Sequence, residues 1–193
     1  MSPLTSMLKV NIDPLQLTDE QFYQLCIHNP DLNIERNRQG VLIFMPPVGG
    51  ESGNREIELG IDIGLWNRQT GLGKVFSSST IFRLPIGSSR SPDVAWIENS
   101  RWQALAPEQR QKFPPIAPDF VIELRSRTDD LPTLQDKMQE YIDSGVRLAW
   151  LVDPQLQQVE IYRPGQAPEP RPLPTELSDE TVLPGFTLHL DAF

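Results

Sequence analysis

Apolar positions recur along this chain with two periods, one near 3.6 and one near 2, and they divide it into helices and strands. Thr18 stands three residues before Gln21 and ahead of Phe22, Leu25 and Cys26, the pattern of a capping box, so a short helix starts near residue 19. Residues 32–47 alternate, turn at Asn37–Gly40 and become apolar, which predicts a β-hairpin. Over residues 51–71, Ile57, Ile61 and Leu65 recur at i, i+4, i+8, the spacing of one helix face, and Gly71 lies just past the end. Short β-like runs follow at 74–76, 80–85 and 92–97, then a weaker helical stretch at 101–113 broken by Pro107, and a strand over 119–125. The clearest helix comes next. Thr133 and Asp136 mark its start, Leu134, Met138, Tyr141 and Ile142 form one stripe, and Gly145 ends it. Strands at 146–153 and 158–164 lead into residues 164–180, rich in proline and acid, which read as an exposed loop before a terminal strand.

Composition narrows this picture. A chain of 193 residues has room for one core, and nothing suggests a second, so residues 1–193 read as a single domain. One cysteine excludes an internal disulfide, and Cys26 falls on the apolar side of its helix as core. Two distant histidines, His28 and His189, argue against a Cys/His zinc site, so any metal here is oxygen-liganded. No apolar run approaches the ~20 residues of a membrane span, and no secretory leader is visible, so the expected location is cytoplasmic with no membrane partner. A net charge of −9 argues against non-specific coating of nucleic acid, which depends on many Lys and Arg contacts to phosphate. A local basic groove remains compatible with it.

Chemistry enters through two strands. A period of two puts Asp93, Ala95 and Ile97 on one face of the first, and Val121, Glu123 and Arg125 on one face of the second. Each strand therefore offers a carboxylate among apolar neighbours. Two converging carboxylates repel unless one is protonated or a cation lies between them, and a hard divalent ion is held through one or two carboxylates with water and phosphate oxygens. At 100° per residue Lys137 borders the apolar stripe of the following helix, where its stem can lie along the core. Asp136, Glu140 and Asp143 are expected to point to solvent. Trp96, Trp150 and Tyr141 occupy strand and stripe positions and read as core.

Pro92–Asp93 followed by Glu123–Arg125 resembles the PD-(D/E)XK nuclease signature with arginine at the lysine position. The wider pattern, from Gly49–Asn54 through the block Asp119–Pro154 to Leu183–Phe186, resembles the restriction-endonuclease-like Uma-two family over nearly the whole chain. That resemblance implies an α/β fold: a restriction-endonuclease-like core with a mixed central β-sheet flanked by helices, preceded here by an N-terminal helix and a β-hairpin. It also implies a Mg²⁺-dependent site, with Mn²⁺ as a substitute, hydrolysing nucleic acid, DNA before RNA, in a homodimer. Carried over by position, Asp93 and Glu123 match the metal-binding acids and Arg125 the usual catalytic lysine. Glu51 matches an acid supplied by an N-terminal helix, with Glu58 as rival. A guanidinium is effectively never deprotonated, so Arg125 can contact phosphate but cannot be a general base, and Lys137 is expected to take the lysine's place.

Blander readings stand beside these. Asp93 after proline serves equally as a turn residue, Glu123 as half of a structural salt bridge to Arg125 or Lys137, and Glu51 as a helix-dipole acid. The corresponding alternative is a catalytically silent nuclease-fold module that binds a protein or nucleic acid.

Overall fold

The computed structural model describes residues 7–12, 15, 17–178 and 180–193. Its centre is a six-stranded mixed sheet ordered β11-β10-β9-β8-β7-β4. The strands are β4 (Gly73–Ser77), β7 (Val94–Glu98), β8 (Phe120–Leu124), β9 (Leu148–Asp153), β10 (Gln158–Tyr162) and β11 (Glu169–Pro172). β8 and β9 run parallel and the other neighbours antiparallel. The parallel pair needs a crossover, and helix α5 (Leu131–Asp143) supplies it.

Alternation along these strands sorts the core onto two faces. Val94, Trp96, Phe120, Ile122 and Trp150 pack with helix α2 (Gly50–Thr70) through Leu59, Ile63 and Trp66. Ala95, Ile97, Val121, Ala149 and Leu151 pack with α5 through Leu134, Met138 and Tyr141. The expected mixed sheet between helices is therefore present, and Trp96, Trp150 and Tyr141 are core.

A second, five-stranded sheet, ordered β1-β3-β2-β6-β5, was not foreseen. It joins the predicted hairpin, β2 (Asn33–Arg36) and β3 (Leu42–Met45), to β1 (Leu8–Val10), β5 (Phe82–Arg83) and β6 (Ser89–Arg90). The N-terminal helix α1 (Asp19–His28) packs Phe22 against Ile34 and Leu42, and Thr18 and Gln21 form the predicted capping box. Pro107 splits the 101–113 stretch into α3 (Asn99–Gln103) and α4 (Pro107–Gln111), sitting in the first turn of the latter where its missing N–H costs nothing.

Three local expectations need correcting. In α2 the stripe Ile57, Ile61 and Leu65 is 58%, 42% and 50% exposed, and the buried face is Leu59, Ile63 and Trp66. The helix carries apolar residues on two faces, and periodicity alone does not choose between them. The N-cap of α5 is Asp130, whose side chain accepts from the Thr133 N–H, with Pro132 in the first turn; Thr133 and Asp136 lie inside the helix. The proline-rich segment is not simply a loop. It contributes β11 and β12 (Thr175–Leu177), and β12 pairs with β13 (Leu188–Leu190) over the α2 face, burying Leu177. Pro170 and Pro172 are two residues apart and so offer their nitrogens to the same side, which an edge strand tolerates.

Candidate active site

The antiparallel register of β7 and β8 pairs Val94 with Ile122 and Ala95 with Val121. One step further along that register brings Asp93 abreast of Glu123, on the face that meets α5. The Leu124 N–H donates to Asp93 Oδ2 at 2.7 Å, tying the two strand ends together. The two candidate acids are thus neighbours by sheet geometry.

Lys137 reaches the same point from α5. Its Nζ lies 2.8 Å from Glu123 Oε1 and 3.0 Å from Glu35 Oε1. The Tyr141 hydroxyl, one turn further along the helix, donates to Glu123 Oε1 at 2.8 Å. Glu35 comes from β2 of the smaller sheet and also accepts the Ser91 N–H at 2.9 Å. Arg90, on β6, donates to Glu35 Oε2 at 2.9 Å and grips Glu140 with two bonds of 2.8 and 2.9 Å. Glu140 is buried, contrary to the expectation that it faces solvent. It sits about 60° around the helix from Lys137, and the smaller sheet covers that flank of α5.

Charge within this cluster is out of balance. Four carboxyl groups, Glu35, Asp93, Glu123 and Glu140, share two cations, Arg90 and Lys137. Burial works against ionised Glu35, yet Lys137 and Arg90 hold it below the usual carboxylate range. Burial raises Asp93 well above its ordinary value, and the Glu123 charge raises it further. Burial also raises Glu123, with Lys137 pulling against it and Glu35 adding to it. Burial disfavours the Lys137 ammonium, but Glu123 and Glu35 outweigh that and its pKa is raised. Its carboxylate partners therefore favour the ammonium form, which suits Lys137 to orienting groups and balancing charge rather than to accepting a proton.

The deficit of positive charge falls at Asp93 and Glu123. Two such carboxylates could hold a hard divalent cation, with the rest of its shell from water and phosphate oxygens. Among the described residues no group of three or more His, Cys, Asp or Glu side chains is placed to hold a metal ion.

The structure leaves two sequence candidates outside the cluster. Arg125 follows the end of β8 and turns to the buried Asp153, donating to Oδ2 at 2.8 Å and to the Asp129 carbonyl at 3.3 Å. Glu51 stands at the exposed start of α2, with its side chain 90% accessible and Arg55 3.9 Å away. Among the described residues neither is hydrogen-bonded or ion-paired to Glu123. Glu58, the rival to Glu51, is exposed and adds its charge to Asp62. The α2 acid whose charge bears on Asp93 is half-buried Glu56, which shares the sheet-facing side of the helix with Leu59 and Ile63 at i+3 and i+7. Choosing the correct face of α2 would have singled it out. Glu35, Arg90 and Glu140 were missed because their partners lie on different elements, 50 or more residues away along the chain in each of these contacts.

A family profile described as "Uma2: Putative restriction endonuclease" matches residues 19–191. The chain belongs to the Uma2 family. Among solved structures, it is similar to a protein from Anabaena variabilis ATCC 29413, described as a "putative nuclease belonging to DUF820". That likeness has a TM-score of 0.70 at 22% identity, covers 81% of this chain and 87% of the other, and establishes the restriction-endonuclease-like fold. No functionally curated protein matches the chain. Uma2 membership supports a nuclease-like function. No helix among the described residues of this Uma2 protein is long and apolar enough to cross a membrane.

Proposed function

We propose that the protein is a Mg²⁺-dependent nuclease, able to use Mn²⁺, that hydrolyses phosphodiester bonds in nucleic acid, with DNA favoured by the family's description. The observation that carries this reading is Asp93 abreast of Glu123 with the Lys137 ammonium 2.8 Å from Glu123. Asp93 and Glu123 would hold the cation, which when bound supplies Lewis acidity toward the phosphate and lowers the pKa of water. Lys137 orients the attacking water and balances negative charge building on the phosphoryl oxygens. Tyr141, donating to the same carboxylate oxygen as Lys137, steadies the Oε1 side of Glu123 against α5. Arg125 braces the strand end through Asp153, so the lysine role falls to Lys137 alone.

Incubation with single-stranded, double-stranded and structured DNA and RNA across Mg²⁺ and Mn²⁺ tests this. Cleavage by the parent that disappears in Asp93→Ala and Glu123→Ala supports it, and cleavage unchanged in both variants overturns it. A silent binding module is the second reading, favoured by the internal pairing of Glu123 with Lys137. It predicts no cleavage of any substrate and a metal-free Asp93→Asn variant more stable than the parent. A homodimer remains part of the proposal, and light scattering on the full chain checks it.

A further inference from the structure

Glu35 belongs to neither strand that carries the proposed cation ligands, yet it sits 2% exposed at the centre of their charge network. We propose that Glu35 is a positioning residue, a fixed post that takes over the Lys137 ammonium when Glu123 turns to a divalent cation. This rests on the reading of Asp93 and Glu123 as that cation's ligands.

Lys137 Nζ lies almost equally far from Glu123 Oε1 and Glu35 Oε1, at 2.8 and 3.0 Å. With Glu123 as its one carboxylate, the buried ammonium would compete directly with an incoming cation. Surrendering Glu123 would leave that ammonium unpaired in the interior, a heavily disfavoured state. Glu35 removes the conflict, because the ammonium keeps an ion pair as Glu123 shifts toward the metal. Glu123 has room to do so, since the Tyr141 hydroxyl bonds Oε1, the nearer oxygen to Lys137 Nζ is also Oε1, and among the described residues Oε2 accepts no hydrogen bond.

Glu35, by contrast, is anchored at both oxygens. Ser91 N–H holds Oε1 and Arg90 holds Oε2, and Arg90 is itself clamped by both oxygens of Glu140. Ser91 also precedes Pro92–Asp93 directly, so the carboxylate that receives the lysine also sets the backbone leading to Asp93. A partner beyond the ligands that is itself held firmly is the arrangement by which proteins orient metal-binding groups.

The test measures Mn²⁺ affinity by electron paramagnetic resonance on the full chain, in the parent, Glu35→Gln, Lys137→Met and the double variant. Glu35→Gln keeps the side chain's size and an oxygen for Ser91 while removing the charge. We expect it to weaken Mn²⁺ binding by about tenfold or more in the parent and by less than about twofold in the Lys137→Met background. Equal weakening in both backgrounds, or none in either, overturns the handover. If Glu35→Gln does not fold, the ¹⁵Nζ signal of Lys137 in the parent decides. It should stay slowly exchanging and shift as Mg²⁺ saturates, and a signal that is lost or does not move overturns the proposal. Parent binding that Asp93→Ala abolishes while Glu35→Gln leaves it intact defeats the role of Glu35 alone. A parent that binds no Mn²⁺ defeats the carboxylate reading, and this inference with it.

Discussion

Arg90→Met tests the buried charge network without touching a proposed cation ligand. Methionine retains the apolar stem and removes the guanidinium, whose side chain is 6% exposed and which makes three hydrogen bonds of 2.8 to 2.9 Å to Glu35 and Glu140. Glu35 would keep Lys137 and Ser91, while Glu140 would keep no cation. Breaking a buried ion pair from one side typically costs about 3–5 kcal/mol. In a chain of this size each kcal/mol lowers the melting temperature by roughly 2–4 °C, so a fall of about 6–20 °C is expected at pH 7 by calorimetry. The sign of the pH dependence comes from Glu35. Its folded pKa is held below 4.5, so it stabilises the parent above that pH, and the contribution is lost as pH falls through the folded value. The gap between parent and variant should therefore be widest near neutrality and close in acid. Adding Glu35→Gln and Glu140→Gln to Arg90→Met should recover much of the loss, because the stranded charges are gone. A variant melting within about 2 °C of the parent at pH 7, or a gap that does not narrow in acid, would refute the reasoning.

Three other outcomes are expected. Mg²⁺ at one hundred times its dissociation constant should stabilise the parent by about 2.7 kcal/mol, a rise of roughly 5–11 °C in a thermal melt, and Asp93→Ala should show no rise. Burial pushes the Cys26 thiol up to about 11, so only about one molecule in a thousand is the thiolate at pH 8, and a disulfide reagent should label it slowly until denaturant is added. A Cβ at Gly73 would lie 2.3 Å from the Ile97 carbonyl oxygen and 2.4 Å from the Trp96 ring, so Gly73→Ala should lower stability by about 3 kcal/mol in urea titration.

How much the sequence disclosed depended on how local each signal was. Strand parity around Pro92–Asp93 and Asp119–Arg125 assigned faces that the sheet reproduces, and the stripe of α5 was legible because one face held its large apolar residues. Lys137 could be placed at the edge of that stripe from angle alone. Glu140 could not, because a position that looks like solvent on an isolated helix becomes interior once a second sheet docks. That sheet was hidden because three of its strands have only two or three residues, too few for a period to register. The pairing of Arg125 was hidden for a related reason: its partner, Asp153, lies at the end of the parallel strand beyond the crossover, and strand parity carries no information past the last paired residue.

The division of the charged cluster between two sheets has a consequence for timing. Glu123 and Lys137 lie close in sequence within one strand–helix unit, β8 and α5, which can assemble early and locally. Asp93 arrives by long-range pairing, and Glu35 and Arg90 arrive with a separate sheet whose contacts span much of the N-terminal half. A nascent or half-unfolded chain therefore carries the lysine and one acid but no complete centre, so any cutting activity is withheld until the whole molecule has closed.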